Sequence, residues 1–253
     1  MSGNRADRPC TVAVVHATPA SVAPTRSALA EGFPEASVWN LLDDRLMSDA
    51  EEAGGVTPDL SDRMLSLIDY AVRGGADAVL LSCSLYGSVL EQARRRYDLP
   101  MLSSDDALFA EVARRRFGSV LLLGPLAPAV RDSVNRLERV LSGAQDGERT
   151  KVIGRTATGA AEAAAHDDLG ALEQSLTAAA TPYLKDVDAV VLGMFSLAPA
   201  HAGLEQALGL PVLSAPPLAA RALRESAGAG RAHTSFIPSV PGSIPDSSAV
   251  EAS

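Results

Sequence analysis

The sequence predicts an α/β protein of two similar lobes, each built on a central parallel sheet, related by a pseudo-twofold axis with an active-site cleft between them. Short apolar runs alternate along the chain with helical patterns, which is the order that parallel sheets require. The runs lack the apolar–polar alternation of strands with one solvated face, so each is expected to be covered on both sides. One strand–helix–strand unit recurs later in the chain, and this repeat predicts the second lobe.

The predicted elements follow each other in regular order along the 253 residues. The strand candidates are short and apolar and lie at 11–15, 78–81, 101–102, 119–123, 151–153, 189–192 and 212–213. The helix candidates between them lie at 62–73, 88–97, 105–116, 127–141, 170–183 and 202–208. Because 47% of the residues are hydrophobic, the chain can bury a core without disulfides or a structural metal.

The internal repeat keeps a constant offset across a whole strand–helix–strand crossover. The sequence GADAVLL at 75–81 is echoed by DVDAVVL at 186–192, and LPMLS at 99–103 is echoed by LPVLS at 210–214. Both echoes have the same spacing, since 188 − 77 = 111 and 211 − 100 = 111. Two similar half-chains are therefore expected to pack face to face, with the carboxyl ends of their strands at the shared cleft.

The repeat and the composition together predict the domain boundaries. We expect a first lobe at 10–105 and a second lobe at 106–214, with a helix at 215–226 packing back on the first lobe. From 227 to 253 the chain is dominated by Gly, Ser, Pro and Ala and has no apolar periodicity, which predicts a flexible tail.

Composition excludes several classes of partner. A formal net charge of −9 argues against nucleic acid, because an acidic surface repels phosphate backbones. The longest apolar runs fall far short of the roughly 18–20 residues of a membrane span. The two cysteines suit a reducing cytoplasm, and no spacing resembles a metal site or a glycine-rich phosphate loop. The expectation is a cytoplasmic protein with no metal, cofactor or membrane contact, and with a homodimer as the default assembly.

The repeat places Cys83 opposite Met194, since 194 − 83 = 111. Each lies between a strand and a helix, where free backbone N–H groups and the helix dipole stabilise a thiolate and lower the pKa of a thiol. Ser82 and Ser84 add hydroxyl groups beside the cysteine, and the same N–H groups would suit a carboxylate ligand. The alternative for a lone cysteine is an inert buried side chain. His16 ends the first strand and either points into the cleft or bonds to backbone there.

Several stretches are similar to the aspartate/glutamate/hydantoin racemase superfamily, whose branches include maleate isomerase and arylmalonate decarboxylase. ADAVLLSCS at 76–84 resembles the first cysteine motif of that superfamily. FGSVLLLG at 117–124, followed by PAV at 128–130, resembles the opening of its second lobe, and DAVVLG at 188–193 resembles the approach to its second cysteine. The resemblance covers about 12–223.

The resemblance implies cofactor-independent proton transfer at the α-carbon of a small carboxylate, with two thiols facing each other across the substrate. Carried over by position, Cys83 is the acid/base of the first lobe. Ser84 and Thr18 are carboxylate-binding candidates, and Asn40, after the second strand, is expected to reach the pocket. The remaining positions expected at the pocket are Ser82, Gly124, Pro125, Gly193, Met194, Phe195, Ser196 and His201.

This sequence departs from the family pattern at the second cysteine. Met194 has a thioether there, which neither donates nor accepts a proton at a useful pKa, and Phe195 adds an apolar wall. Pro125 removes one backbone donor from the second lobe. The identity of the substrate stays open, although the few charges expected at the cleft favour an apolar or aromatic carboxylate.

Three functions remain open after this departure. The first is a racemase or isomerase in which Cys83 works with a non-thiol group such as His201 or Ser196. The second is a decarboxylase of the arylmalonate type that uses a single cysteine, for which an apolar pocket would favour loss of a carboxylate. The third is a binding protein that keeps the fold without turnover.

Overall fold

A computed structural model describes residues 9–143 and 150–230 and contains two four-stranded, wholly parallel sheets. The first sheet has the strand order β2-β1-β3-β4, and its strands are β1 (Cys10–His16), β2 (Ala36–Leu42), β3 (Ala78–Leu81) and β4 (Met101–Ser103). The second has the order β6-β5-β7-β8, and its strands are β5 (Ser119–Gly124), β6 (Lys151–Thr156), β7 (Ala189–Leu192) and β8 (Val212–Ser214).

Helices connect the strands and cover the sheets. They are α1 (Val22–Gly32), α2 (Leu46–Glu52), α3 (Pro58–Arg73), α4 (Gly87–Arg94), α5 (Asp106–Arg115), α6 (Ala127–Gly143), α7 (Ala160–Ala165), α8 (Leu169–Ala180), α9 (His201–Leu208) and α10 (Ala215–Gly230). Short 3₁₀ helices lie at Pro19–Ser21, Ser84–Tyr86, Thr181–Tyr183 and Phe195–Ala200. No helix in the described ranges is long and apolar enough to cross a membrane.

The strands contribute to three hydrophobic cores, of which one is shared by the two lobes. Successive side chains of a strand point to opposite faces of its sheet. Val12 and Val14 of β1 therefore join Val120 and Leu122 of β5 in the shared core, while the intervening residues of each strand face a separate core within their own lobe. Burial on both faces explains why these strands read as continuous apolar runs.

The predicted two-lobed α/β fold with repeated sheets is confirmed. β3 and β7 begin 111 positions apart, since 189 − 78 = 111, and the same offset relates β4 to β8, since 212 − 101 = 111. The pairing register repeats as well, because Val79 pairs with Met101 in the first sheet and Val190 with Val212 in the second. The echo in the sequence therefore reflects two copies of one strand–helix–strand arrangement.

Some predicted elements differ from the structure. β2 was not among the strand candidates, because it is a half-exposed edge strand that includes polar residues instead of an apolar run. Asn40 accordingly lies within β2 and not after it. α10 packs on α1 and α5 and continues to Gly230, so the helix extends past the start predicted for the tail at 227. The rest of the predicted tail, 231–253, lies outside the described residues.

Candidate active site

Cys83 lies at the carboxyl end of β3, where the chain turns from the sheet into a 3₁₀ helix. Its backbone is extended, with φ −122° and ψ 117°, and it is the N-cap of the 3₁₀ helix Ser84–Tyr86. The backbone N–H groups of Leu85 and Tyr86 lower the pKa of the Cys83 thiol, although its side chain makes no capping hydrogen bond to them. The side chain is only 3% exposed. The strand-to-helix turn thus places a buried thiol near two backbone N–H groups.

The pKa of Cys83 is raised to about 11. Burial is the largest cause, because removal from water disfavours the thiolate; the Leu85 and Tyr86 N–H groups lower the pKa but do not compensate. Among nearby charges, Asp105 raises the pKa and Arg136 lowers it. The expectation that the turn would lower the thiol pKa was therefore wrong, because desolvation outweighs the two donors. In this structure the resting group is a protonated thiol.

A buried polar network around His16 holds the turn that precedes Cys83. The oxygens of Ser21 and Ser82 each lie 2.8 Å from His16 Nδ1, and Asn40 Oδ1 lies 3.0 Å from Nε2. Burial lowers the pKa of His16, whereas the hydrogen bond with Asn40 opposes that shift. The Ser21 hydroxyl also donates to the main-chain oxygen of Thr18 at 3.0 Å.

This network changes the interpretation of two predicted pocket residues. Ser82 and Asn40 both hydrogen-bond the His16 ring, so their polar atoms already have partners within the first lobe. Among the described residues the His16 ring bonds to side chains, which differs from the expected bond to backbone. Ser84 is buried in the turn after Cys83, and Thr18 is half-buried at the end of the loop after β1.

Met194 occupies the position in the second lobe that Cys83 occupies in the first. It is the N-cap of the 3₁₀ helix Phe195–Ala200, with φ −144° and ψ 147°. Gly193 donates its N–H to the Leu123 carbonyl oxygen at 2.8 Å, and a Cβ there would lie 3.1 Å from the same oxygen. The small residue is therefore needed for close backbone approach beside Met194.

Other predicted residues of the second lobe serve packing. Phe195 was expected at the wall of a substrate pocket, but its ring is buried in the core shared by the two lobes. Gly124 packs tightly against α6, since a Cβ there would lie 2.7 Å from Cγ2 of Val130. Pro125 is buried next to it.

His201 and Ser196 line a different part of the molecule from Cys83. Both border a cavity of about 600 Å³ that is also lined by α1, by residues of α7 and α8, and by the start of α10. Neither Cys83 nor Met194 is among its lining residues, and His201 Nδ1 lies 2.9 Å from the oxygen of Ser214. The six-residue 3₁₀ helix Phe195–Ala200 separates His201 from Met194. A pairing of His201 or Ser196 with Cys83 is thus not supported.

Three site residues that influence or adjoin Cys83 were not identified from the sequence. Asp105 is buried beyond β4, and Arg136 on α6 of the second lobe forms an ion pair with it. Tyr86 is buried and donates its hydroxyl to the Leu46 carbonyl at 2.7 Å, and burial raises its pKa to about 12. The signal for Asp105 was present, because Cys83 and Asp105 each stand two residues past the ends of adjacent strands.

Two parallel α/β lobes that repeat one strand–helix–strand unit define the fold class of the chain. The sequence profile of the Asp/Glu/Hydantoin racemase family matches residues 11–223, and the chain belongs to that family. A search of curated proteins finds no significant match.

Solved structures share this fold at low sequence identity. An aspartate racemase from Picrophilus torridus superposes with a TM-score of 0.68 at 16% identity, covering 86% of this chain and 94% of that one. A glutamate racemase from Bacillus anthracis gives 0.65 at 14% identity, with coverages of 85% and 80%. An unliganded arylmalonate decarboxylase gives 0.58 at 18% identity, with coverages of 87% and 93%.

Proposed function

We propose that the chain is a cofactor-independent enzyme of racemase or isomerase type, in which Cys83 transfers a proton at the α-carbon of a small carboxylate. The observation that carries the proposal is the position of Cys83, which lies at the strand-to-helix turn of the first lobe in a chain of the racemase family. Cys83 stands at the turn after β3, where the backbone N–H groups of Leu85 and Tyr86 lower the pKa of its thiol. Those donors would stabilise the thiolate that remains after the proton has left.

The protonation state of Cys83 favours its action as an acid. With a pKa of about 11, only about one molecule in ten thousand carries a thiolate at neutral pH. In the isomerase reaction the thiolate first removes the α-proton, the electron pair stays on the carbon, and the thiol so formed returns a proton to that carbon. This reaction starts from the rare thiolate, whereas protonation of a carbanion formed by cleavage of another bond starts from the resting thiol.

Decarboxylation is a second candidate because Met194 offers no acid or base on the opposite face. In that reaction the bond between the α-carbon and a carboxylate breaks, carbon dioxide leaves, and the electron pair stays on the carbon. The Cys83 proton then adds to that carbon, and the thiolate is reprotonated by water. One acid suffices for this sequence, whereas racemisation needs proton exchange on two faces.

Proton NMR in D2O tests the proposal directly. The substrates would be amino acids, hydroxy acids, hydantoins and 2-substituted malonates, compared between wild type and Cys83→Ala. The matched control is Cys10→Ala, which removes the other cysteine, the first residue of β1. We expect loss of an α-proton signal, or carbon dioxide release with deuterium in the product, that depends on Cys83 and not on Cys10.

The outcomes of this experiment separate the open functions. Exchange without carbon dioxide supports the isomerase, and carbon dioxide release supports the decarboxylase. A silent panel with folded protein and a Cys83 that resists alkylation at all accessible pH values would favour a binding protein on the same fold.

Restoring the missing thiol gives an independent test. Met194 is half-buried at the N-cap of its turn, so Met194→Cys would place a second sulfur at the position equivalent to Cys83. If wild type delivers a proton to one face only, Met194→Cys should convert a stereospecific product into a racemic one. The matched control is Met194→Ser, which cannot act as a thiol acid. Racemic product already formed by the wild type would contradict one-faced delivery.

A further inference from the structure

An ion pair between Asp105 and Arg136 joins the two lobes beside Cys83. Asp105 directly precedes α5 after the last strand of the first sheet, and Arg136 lies in α6, which follows the first strand of the second sheet. The Arg136 guanidinium also bonds Asp132 at 2.7 Å and lies 5.6 Å from the ring centre of Phe109. The arginine is thus held by groups from both lobes.

Asp105 is oriented in an unusual way for its position. It is the N-cap of α5, where an aspartate normally accepts hydrogen bonds from the first backbone N–H groups, yet it makes no such bond. Its carboxylate is 2% exposed, and Oδ1 has no hydrogen-bond partner among the described residues. The neighbouring Ser104 Oγ is likewise buried outside hydrogen-bonding geometry, although it is close enough to Asp105 to lower the pKa of that carboxyl. A carboxylate oxygen left unsatisfied in this way destabilises a fold, so stability alone does not explain the arrangement.

The sheet register places Asp105 and Cys83 at the same edge of the first sheet. Leu81 pairs with Ser103 at the ends of β3 and β4, and the two functional groups each follow by two residues. The charges of Asp105 and Arg136 both act on the Cys83 thiol, with opposite sign. The carboxylate therefore favours the protonated thiol, and the guanidinium favours the thiolate.

The other charged and titratable groups packed around this site have partners of their own. Tyr86 donates its hydroxyl to the Leu46 carbonyl. Asp106 forms an ion pair with Arg94 and accepts hydrogen bonds from Ser103. Asp132 is 53% exposed on α6, where solvent screens its charge. Among the charged groups, Asp105 and Arg136 are consequently the two that most directly affect the protonation of the Cys83 thiol.

We propose that Asp105 is a positioning residue for Cys83 and that Arg136 of the second lobe controls its effect, so that thiol reactivity depends on the ion pair formed between the lobes. The proposal deepens the function proposed above and rests on Cys83 being its reactive group. Paired with Arg136, the Asp105 carboxylate disfavours the thiolate less than an unpaired carboxylate would, so the thiol gives up its proton more readily to a substrate.

The test is the rate at which the neutral reagent iodoacetamide alkylates Cys83, measured well below its pKa in a Cys10→Ala background. In this range the rate follows the thiolate fraction, partly offset by the lower nucleophilicity of a less basic thiolate. A shift of one pKa unit therefore changes the rate by about threefold. We expect Asp105→Asn to accelerate alkylation by about threefold or more, and Arg136→Gln to slow it by a similar factor.

Opposite signs for the two variants distinguish the proposal from a merely structural ion pair. If the pair only holds the lobes together, either substitution exposes the thiol and both variants react faster; that result, or no change in either, overturns the proposal. The double variant Asp105→Asn/Arg136→Gln should return close to the wild-type rate, because neither charge remains. Asp132→Asn is the matched control, since it removes the exposed partner of the same arginine, and its rate should stay within about twofold of wild type.

Two further comparisons distinguish the proposed role of the ion pair from a folding defect and from the proposed enzymatic function. Should Arg136→Gln not fold, Arg136→Lys tests the same point, since the charge is kept and the alkylation rate should not fall. Alkylation needs no substrate, so the expected rates together with a silent substrate panel would refute the proposed function alone. Turnover that depends on Cys83, together with rates that change in the same direction in both variants, would refute only the role of the ion pair.

Discussion

Acidification is expected to destabilise this protein through one buried histidine, His16. Its ring is fully buried and makes close contacts with two hydroxyls, from Ser21 and Ser82, and with the amide oxygen of Asn40. Burial lowers its pKa from the ordinary value of 6.5, and the hydrogen bond with Asn40 only partly opposes this. The folded protein therefore prefers the neutral ring, while the unfolded chain binds a proton at its ordinary pKa.

The size of this effect follows from the difference in bound protons. Below 6.5 the unfolded chain carries a proton on His16 that the folded protein does not, so the free energy of unfolding falls as the pH falls. The decline stops once the pH is below the lowered pKa of the folded state. For one such histidine the loss between about pH 7.5 and about pH 5.5 is at most about 1.4 kcal/mol.

Urea unfolding of wild type and His16→Gln at these two pH values measures the effect. Glutamine keeps hydrogen-bonding capacity and does not titrate, so His16→Gln should be less stable at the higher pH but should lose less stability on acidification. The control is His166→Gln, since His166 is exposed at the end of α7 and its replacement leaves the hydrogen bonds of His16 intact. The reasoning about His16 is refuted if wild type and His16→Gln lose the same free energy over this range.

Three further predictions concern the turn, the second lobe and the thiol. Tyr86→Phe should lower the free energy of unfolding by about 1–3 kcal/mol in urea, because the Leu46 carbonyl would stay buried without its donor; an unchanged value would contradict the role of this hydrogen bond. Gly124→Ala should destabilise the fold by about 1–3 kcal/mol, because the new Cβ would lie 2.7 Å from Val130, and adding Val130→Ala should relieve that contact in thermal unfolding. With the other cysteine replaced by alanine, the alkylation rate of Cys83 should rise with pH up to about pH 10, since its pKa is about 11; a plateau near pH 8 would show that burial does not dominate.

The fold was predictable because the relevant information lies in local sequence patterns. Strands buried on both faces appear as apolar runs, and the offset of 111 between Asp77 and Asp188 marks the repeat within the sequence itself. The same offset located Cys83 and Met194 at equivalent turns, which the structure reproduces. The edge strand β2 was not predicted, because a half-exposed strand with polar residues lacks the continuous apolar run of a buried strand.

The chemistry of the site was less predictable because it depends on contacts between distant segments. The pKa of Cys83 is governed by burial, and that burial comes from packing among distant segments of the first lobe. The partner of Asp105 comes from α6, 31 positions along the chain and in the other lobe. The position of His201 depends on the course of the preceding 3₁₀ helix, which carries it to the cavity lined by α1 and α10. Sequence spacing alone contains none of these distances.

The equivalent turns of the two lobes explain how a symmetric fold can support one-sided chemistry. Cys83 and Met194 have similar extended backbones, and the residue before each donates its N–H to the first strand of its own sheet, at 3.0 Å in the first lobe and 2.8 Å in the second. The second lobe therefore retains the turn, although no thiol stands beside the backbone N–H groups there. The geometry of the turn is thus required by the path of the chain from strand to helix and not by catalysis. Because Met194 has a thioether at that turn, it cannot exchange a proton. The second lobe instead influences the Cys83 thiol through Arg136, which forms the ion pair with Asp105. Proton delivery from a single face is the outcome that this division of roles favours.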